Sequence, residues 1–196
     1  MKVLAINGSP RKEGNTAAML NTVLNVCKEA GHETEFFQAG GRAVHGCKAC
    51  GSCGTQKGKC AIEDWVNQLY PKMKEASAIV IGSPTYFSDL TPETKAIIDR
   101  TGFMSRRDGN AFSRKIGAAV SAVRRAGGIH TLDSIQHMFF ICDMIVPGSS
   151  YWNMSLSRDI GDYDKDHEGE KTMIRLGENI SWLLDLIKAS PPLQAK

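Results

Sequence analysis

The chain has 196 residues, of which 42% are hydrophobic and 23% charged, and its net charge is +3. This length fits a single domain over residues 1–196 better than two, and the apolar fraction is enough for one sizeable core. Lysine and arginine are spread along the chain, which argues against a basic surface for nucleic acid or a membrane. We therefore expect neither as a partner.

No targeting or membrane segment is predicted. The apolar run at residues 3–6 is too short for the core of a signal peptide. The most apolar later stretch, residues 137–147, contains Asp143 and cannot span a bilayer. These features lead us to expect a cytoplasmic protein.

The first elements alternate between strand and helix. Residues 2–7 form a short apolar run that predicts a buried parallel strand. Apolar residues then recur at helical spacing over residues 15–30, and Gly31 is placed to end that helix. Residues 33–38 are more polar, which is typical of an edge strand. A glycine-rich and cysteine-rich insert without periodicity follows at residues 40–61.

The alternation continues after the insert. Helices are predicted at residues 63–76, 91–100, 127–141 and 170–187, and strands at 78–81, 115–122 and 144–146. Residues 82–84 are predicted as a turn and residues 155–168 as a polar loop. The pattern predicts an α/β fold with a doubly wound, five-stranded parallel sheet in the flavodoxin-like order 2-1-3-4-5. Residues 149–196 are predicted as a C-terminal helical extension of this single domain.

A loop of small and polar residues follows the first strand, where ligands bind in this type of sheet. An anion held there needs hydroxyls, basic side chains and a helix N-terminus. Gly14 lets the backbone approach the anion closely, and Asn15 is placed to cap the following helix. The candidate residues are Ser9, Arg11, Lys12, Gly14, Asn15 and Thr16. The alternative is an ordinary turn between a strand and a helix.

A second candidate loop, residues 84–88, follows the third strand. In the predicted strand order it lies beside the first loop. Its polar backbone and the aromatic Tyr86 suit a flat heterocycle. The alternative is that Tyr86 and, above all, Phe87 merely cover the core.

The two loops together resemble a known family. Gly-Ser-Pro-Arg-x-x-Gly-Asn-Thr at residues 8–16 and Gly-Ser-Pro-x-Tyr at residues 82–86 are similar to the NAD(P)H-dependent FMN reductase group of flavodoxin-like proteins. The resemblance implies that the first loop binds the FMN phosphate, the second holds the isoalloxazine ring, and a third loop within residues 121–128 completes the pocket. The implied positions are Ser9, Arg11, Asn15, Thr16, Pro84, Thr85, Tyr86 and Phe87, with Ala122 and Arg124 from the third loop.

Four cysteines crowd the insert, namely Cys47, Cys50, Cys53 and Cys60. Their spacing lets three of them bind three corners of one [4Fe–4S] cluster, while the fourth binds the remaining corner. Zinc, a redox disulfide and free thiols are the alternatives. The spacing suits zinc less well, because structural zinc ribbons usually have two Cys-x2-Cys pairs separated by a longer span than is found here. The other two cysteines, Cys27 and Cys142, lie in apolar patterns and are predicted as core residues.

With this motif, the chain resembles the iron-sulfur flavoprotein branch of the family, and residues 151–154 and 176–179 are also similar to that branch. The resemblance implies one [4Fe–4S] cluster and one FMN per subunit, a homodimer or homotetramer, and electron exchange with a small ferredoxin-like protein or NAD(P)H. Aerobic exposure can strip such a cluster. An FMN or quinone reductase without a cluster and a non-enzymatic redox carrier are the alternatives. No catalytic acid or base is identified.

Overall fold

The structure is a computed structural model that describes residues 1–190. Its sheet has five parallel strands in the order β2-β1-β3-β4-β5, which confirms the predicted flavodoxin-like order. The strands are β1 (Lys2–Asn7), β2 (Glu33–Gln38), β3 (Ala78–Pro84), β4 (Ile116–Val123) and β5 (Met154–Leu156). The helices are α1 (Asn15–Glu29), α2 (Val66–Glu75), α3 (Pro92–Arg107), α4 (Gly128–Ile141) and α5 (His167–Ala189). Within residues 1–190, every helix is too short or too polar to cross a bilayer.

Helices cover both faces of the sheet. Along β1, alternate side chains point to opposite faces, so Val3 packs with α1 and α5 while Leu4 packs with α2, α3 and α4. Cys27 and Cys142 are fully buried, one in each of these two cores, as predicted. The loops after β1 and β3 lie at the carboxyl ends of the strands.

The predicted fifth strand at residues 144–146 is wrong. Ile145 makes only a single bridge, to Ile116, and Pro147 follows without an N–H to continue the ladder. The true β5 begins one residue before the predicted polar loop and extends into it, and it pairs with residues 121–123 at the carboxyl end of β4. Part of the predicted C-terminal extension therefore completes the sheet; its residues 191–196 lie outside the described residues.

Two further boundaries differ from the prediction. Residues 82–84 are not a turn, because they continue β3 and pair with the carboxyl end of β4. Helix α3 continues past Arg100 to Arg107, and Met104 packs in the core. Burial of the last turns outweighs the low helix propensity of Gly102.

Candidate functional site

The loop between β1 and α1 is shaped by its own hydrogen bonds. Ser9 N donates to Asn7 Oδ1 at 3.1 Å, and Arg11 N donates to Ser9 Oγ at 3.2 Å. Gly14 precedes α1 in extended conformation, and no side chain among the described residues caps the helix. The first N–H groups of α1 are therefore available to an external acceptor, and the helix dipole favours an anion there.

The predicted cap by Asn15 is wrong, because Gly14 and not Asn15 occupies the capping position. Asn15 Oδ1 instead accepts hydrogen bonds from Gly161 N at 3.2 Å and Tyr163 N at 3.3 Å, and its Nδ2 donates to Asp159 O at 2.8 Å. Its side chain thus ties α1 to the segment that follows β5.

Residues from four segments converge on one cleft of about 160 Å³ at the carboxyl ends of the strands. The predicted residues that line it are Ser9, Arg11, Asn15, Thr16, Pro84, Thr85, Tyr86, Ala122 and Arg124. Gly14 lies at the start of α1 without lining the cleft. The exposed side chain of Lys12 does not line it either. We call this space the phosphate cleft.

The phosphate cleft also contains two residues that sequence analysis missed, Ser157 and Arg158. They follow β5 directly, so only the pairing of β5 with β4 brings them to this edge. Ser157 is buried, and its Oγ has no hydrogen-bond partner among the described residues. A buried hydroxyl of this kind is costly unless a ligand or water satisfies it.

The electrostatics of the phosphate cleft favour an anion. Arg11, Arg124 and Arg158 line it, and its lining includes no carboxylate. Arg11 Nη1 also donates to the carbonyl oxygen of Arg158 at 3.3 Å, which joins two of the contributing segments. Guanidinium groups bind phosphate oxygens with two N–H donors at once. Together with the uncapped helix and the unpaired Ser157 hydroxyl, they fit a phosphate monoester.

The loop after β3 is positioned by Thr85. Its hydroxyl lies 3.0 Å from Ser121 Oγ and 3.0 Å from Thr131 Oγ1, and its N–H donates to Ala122 O at 2.9 Å. These bonds fix the loop against β4 and α4. Thr85 is therefore suited to placing its neighbour Tyr86 at the cleft rather than to donating to a ligand itself.

Phe87 lies outside the phosphate cleft and does not cover the core, because its side chain is fully exposed. Phe87 and Ser88 have φ values of 48° and 65° and form the middle of a tight turn. The turn is closed by Tyr86 N donating to Asp89 O at 2.7 Å and Asp89 N donating to Tyr86 O at 3.0 Å. Positive φ at both central residues is the type I′ geometry.

The loop between β1 and α1, residues 8–14, which we call the phosphate loop, is tied to the start of the cysteine-rich insert. Asn7 Nδ2 donates to Gln38 Oε1 at 2.7 Å, and Gln38 Nε2 donates to both Ser9 O and Gly40 O at 2.8 Å. Gly40 packs so closely that a Cβ there would lie 2.3 Å from the Ser9 carbonyl. The insert thus begins in direct contact with the phosphate loop.

The four cysteines of the insert line one narrow cavity of about 20 Å³, which we call the cysteine cavity. Arg100, Phe103 and Met104 of α3 form its opposite wall. All four cysteines are free thiols. Ser52 Oγ donates to Cys50 Sγ at 3.4 Å and lowers the pKa of that thiol, whereas burial raises the pKa of Cys53.

The cysteine cavity is not arranged around a single ion. Within residues 1–190, no three His, Cys, Asp or Glu side chains are placed to hold one metal ion. Zinc needs its sulfur ligands about 2.3 Å from one point. A [4Fe–4S] cluster instead takes four cysteine thiolates around a larger inorganic core. The four thiols that line one space are the donor set that a [4Fe–4S] cluster takes.

A larger groove of about 470 Å³ lies between α3 and α4, and all its lining residues belong to these two helices. Ligands in doubly wound sheets bind outside the carboxyl ends of the strands. The groove includes none of these strand ends, so the smaller phosphate cleft is the stronger candidate for a cofactor site.

Comparison with known proteins agrees with these features. Residues 1–159 match the NADPH-dependent FMN reductase family. An iron-sulfur flavoprotein of Methanocaldococcus jannaschii is 36% identical over 195 residues, which cover 96% of this chain and 100% of the relative. Another, of Methanosarcina thermophila, is 33% identical over 196 residues, which cover 96% of this chain and 97% of that relative. A solved flavodoxin from the domain Archaea shares the fold at a TM-score of 0.60 and 17% identity. The match covers 94% of this chain and 99% of the flavodoxin.

Proposed function

Because the chain belongs to the NADPH-dependent FMN reductase family, we propose that it is an FMN-dependent oxidoreductase that exchanges electrons between FMN and a [4Fe–4S] cluster. The observation that carries this proposal is the presence of both sites in one chain. The phosphate cleft offers arginines, an uncapped helix and an unpaired hydroxyl, and the cysteine cavity is surrounded by four free thiols.

In this proposal FMN is held at the carboxyl ends of β1, β3 and β4. Ser9, Thr16 and Arg11 would hold its phosphate near the start of α1, and Ser157 Oγ would then gain a hydrogen-bond partner. Tyr86 lies at the other side of the cleft and orients the flat ring. Bound FMN supplies the capacity to accept and release one or two electrons, while the protein supplies position and electrostatics.

Cys47, Cys50, Cys53 and Cys60 would hold the cluster, and α3 lines the same cavity. The stem of the insert contacts the phosphate loop through Gln38 and Gly40. The same insert therefore connects the FMN site with the cluster site. We propose a small ferredoxin-like protein or NAD(P)H as the source of electrons.

Anaerobic reconstitution with iron and sulfide tests this function. We expect about four iron and four sulfide per FMN. A protein that binds FMN but no iron, or one zinc ion instead, and turns over with NAD(P)H is the second candidate, an FMN or quinone reductase without a cluster. The name of the matched family favours that second candidate.

Removing phosphate contacts is expected to weaken FMN binding. Arg11→Ala removes a charged hydrogen bond to the phosphate. Thr16→Val removes a hydroxyl while nearly keeping the shape of the side chain. Each change should therefore weaken FMN binding by about 1–3 kcal/mol. FMN affinity is measured by titration of flavin fluorescence. Lys12→Ala is the matched control, because Lys12 is exposed in the same loop and does not line the cleft. If Arg11→Ala and Thr16→Val bind FMN as tightly as the Lys12→Ala control, the assignment of this loop to the FMN phosphate is contradicted.

We also propose that the chain assembles as a homodimer or homotetramer through exposed aromatic surface. Tyr151 and Trp152 are 57% and 56% exposed with ring centroids 4.7 Å apart, and Trp182 on α5 is 63% exposed. Aromatic side chains are enriched where proteins associate, and large exposed apolar patches commonly mark such surfaces.

Light scattering at micromolar concentration is expected to show an oligomer for the wild type and smaller particles for Trp152→Glu. Phe140→Glu is the control, because Phe140 is similarly exposed, at 60%, on α4 instead of the aromatic surface. A monomeric wild type, or equal dissociation by both variants, counts against this interface.

A further inference from the structure

Arg100 is buried to an unusual degree for a charged residue. Its side chain is completely inaccessible to solvent, although arginine is rarely buried unless it is paired. The partner is Asp64, which lies just before α2. Arg100 Nη1 donates to Asp64 Oδ2 at 2.5 Å and Nη2 donates to Asp64 Oδ1 at 2.8 Å, a two-bond pairing that fixes the plane of the guanidinium.

The same guanidinium holds both arms of the cysteine-rich insert. Nη1 donates to His45 O at 3.2 Å, and Nη2 donates to Ile62 O at 3.2 Å. His45 lies just before Cys47 in the sequence, and Ile62 lies just after Cys60. One side chain on α3 therefore closes the loop that carries all four cysteines.

The remaining donor of Arg100 has no partner among residues 1–190. A guanidinium has five N–H groups, and the four on Nη1 and Nη2 are directed to Asp64, His45 and Ile62. The Nε atom is buried and makes no hydrogen bond within the described residues. Leaving such a donor unpaired is costly, so an acceptor is expected beside it.

The cysteine cavity is the place where that acceptor belongs. Arg100 lines this cavity together with the four thiols. Cys60, which lines the same cavity, lies two residues before Ile62, whose carbonyl oxygen accepts a hydrogen bond from Arg100 Nη2 at 3.2 Å.

We propose that Arg100 is a positioning residue of the cluster site, which closes the insert and donates its Nε–H to the Cys60 thiolate when the cluster is bound. This inference rests on the proposed function, because it concerns the chain's residues toward the [4Fe–4S] cluster. Hydrogen bonds to cluster sulfurs and nearby positive charge both stabilise the more negative, reduced form. They therefore raise the reduction potential of the cluster.

The test compares cluster potentials in reconstituted protein that also carries FMN, measured by redox titration followed by electron paramagnetic resonance. Arg100→Gln is expected to lower the potential and reduce the iron bound per FMN. Asp64→Asn keeps the Nε donor and removes a negative charge, so its potential should stay equal or rise. Arg106→Gln is the matched control, because Arg106 lies on the same helix but donates to Ile141 O, away from the cysteine cavity. Its potential should equal that of the wild type.

The outcomes separate this inference from the proposed function. If the wild type binds no iron and sulfide, the proposed function fails. If the wild type binds the cluster and Arg100→Gln keeps the wild-type potential, the inference is overturned. Loss of iron to the same extent in Arg100→Gln and Asp64→Asn, with unchanged potentials, also overturns it, since the ion pair would then act only as a structural clamp.

Arg100→Lys decides the question if Arg100→Gln does not fold, as judged by circular dichroism and FMN content. Lysine keeps the positive charge but lacks the planar arrangement of donors. We expect a lower potential than in the wild type and partial loss of iron. A lysine variant with wild-type potential and iron content contradicts a specific role for the Nε donor.

Discussion

Replacing Cys50 by serine is expected to abolish stable binding of iron and sulfide while FMN stays bound. The substitution removes one soft thiolate ligand, and a serine hydroxyl is a poor substitute for it. FMN should remain because none of the residues lining the phosphate cleft also lines the cysteine cavity. Iron, sulfide and FMN are measured per chain after anaerobic reconstitution.

The kinetic consequence of Cys50→Ser separates the two cofactors. Reduction of FMN by a one-electron donor protein should become slower, while direct chemical reduction by dithionite should change little. Cys142→Ala is the control, because Cys142 is a buried core cysteine that does not line the cysteine cavity. A Cys50→Ser protein that keeps its full iron content, or that loses FMN together with the iron, contradicts the separate assignment of the two sites.

Replacing Gly40 by alanine is expected to damage the FMN site from outside the phosphate loop. A Cβ at this position would lie 2.3 Å from the carbonyl carbon and oxygen of Ser9 and 2.4 Å from the carbonyl oxygen of Gly8. Because these are backbone atoms, the overlap is relieved only if the phosphate loop moves. Overpacking of this kind costs about 1–3 kcal/mol of folding stability.

Because the phosphate loop must move, we expect Gly40→Ala to weaken FMN binding by about tenfold or more. A tenfold change in affinity corresponds to about 1.4 kcal/mol. Thermal unfolding without FMN and flavin titration measure the two effects separately. Gly46→Ala is the matched control, because Gly46 lies in the same insert and a Cβ there meets no atom within 4 Å. Unchanged FMN affinity in Gly40→Ala would show that the stem of the insert does not hold the phosphate loop.

Local sequence was sufficient for the elements that carry their own periodicity and turn residues. The apolar run of β1 and the helical spacing of α1 predicted both elements closely, since burial on one or both faces leaves a pattern in neighbouring residues. Short contiguous motifs likewise pointed to seven residues of the first two loops that line the phosphate cleft, although Lys12, Gly14 and Phe87 do not line it. Parallel strands with their carboxyl ends at one edge then bring those loops together.

Only the tertiary structure placed β5, because three residues are too few to show a period and their pairing partner on β4 lies far away in the sequence. Ser157 and Arg158 therefore reach the phosphate cleft without any local signal. The role of Arg100 depends on Asp64, 36 residues earlier, and burial of a guanidinium is decided by such distant partners. Sequence patterns record which side chains face water or core, whereas hydrogen bonds between distant segments depend on how those segments pack.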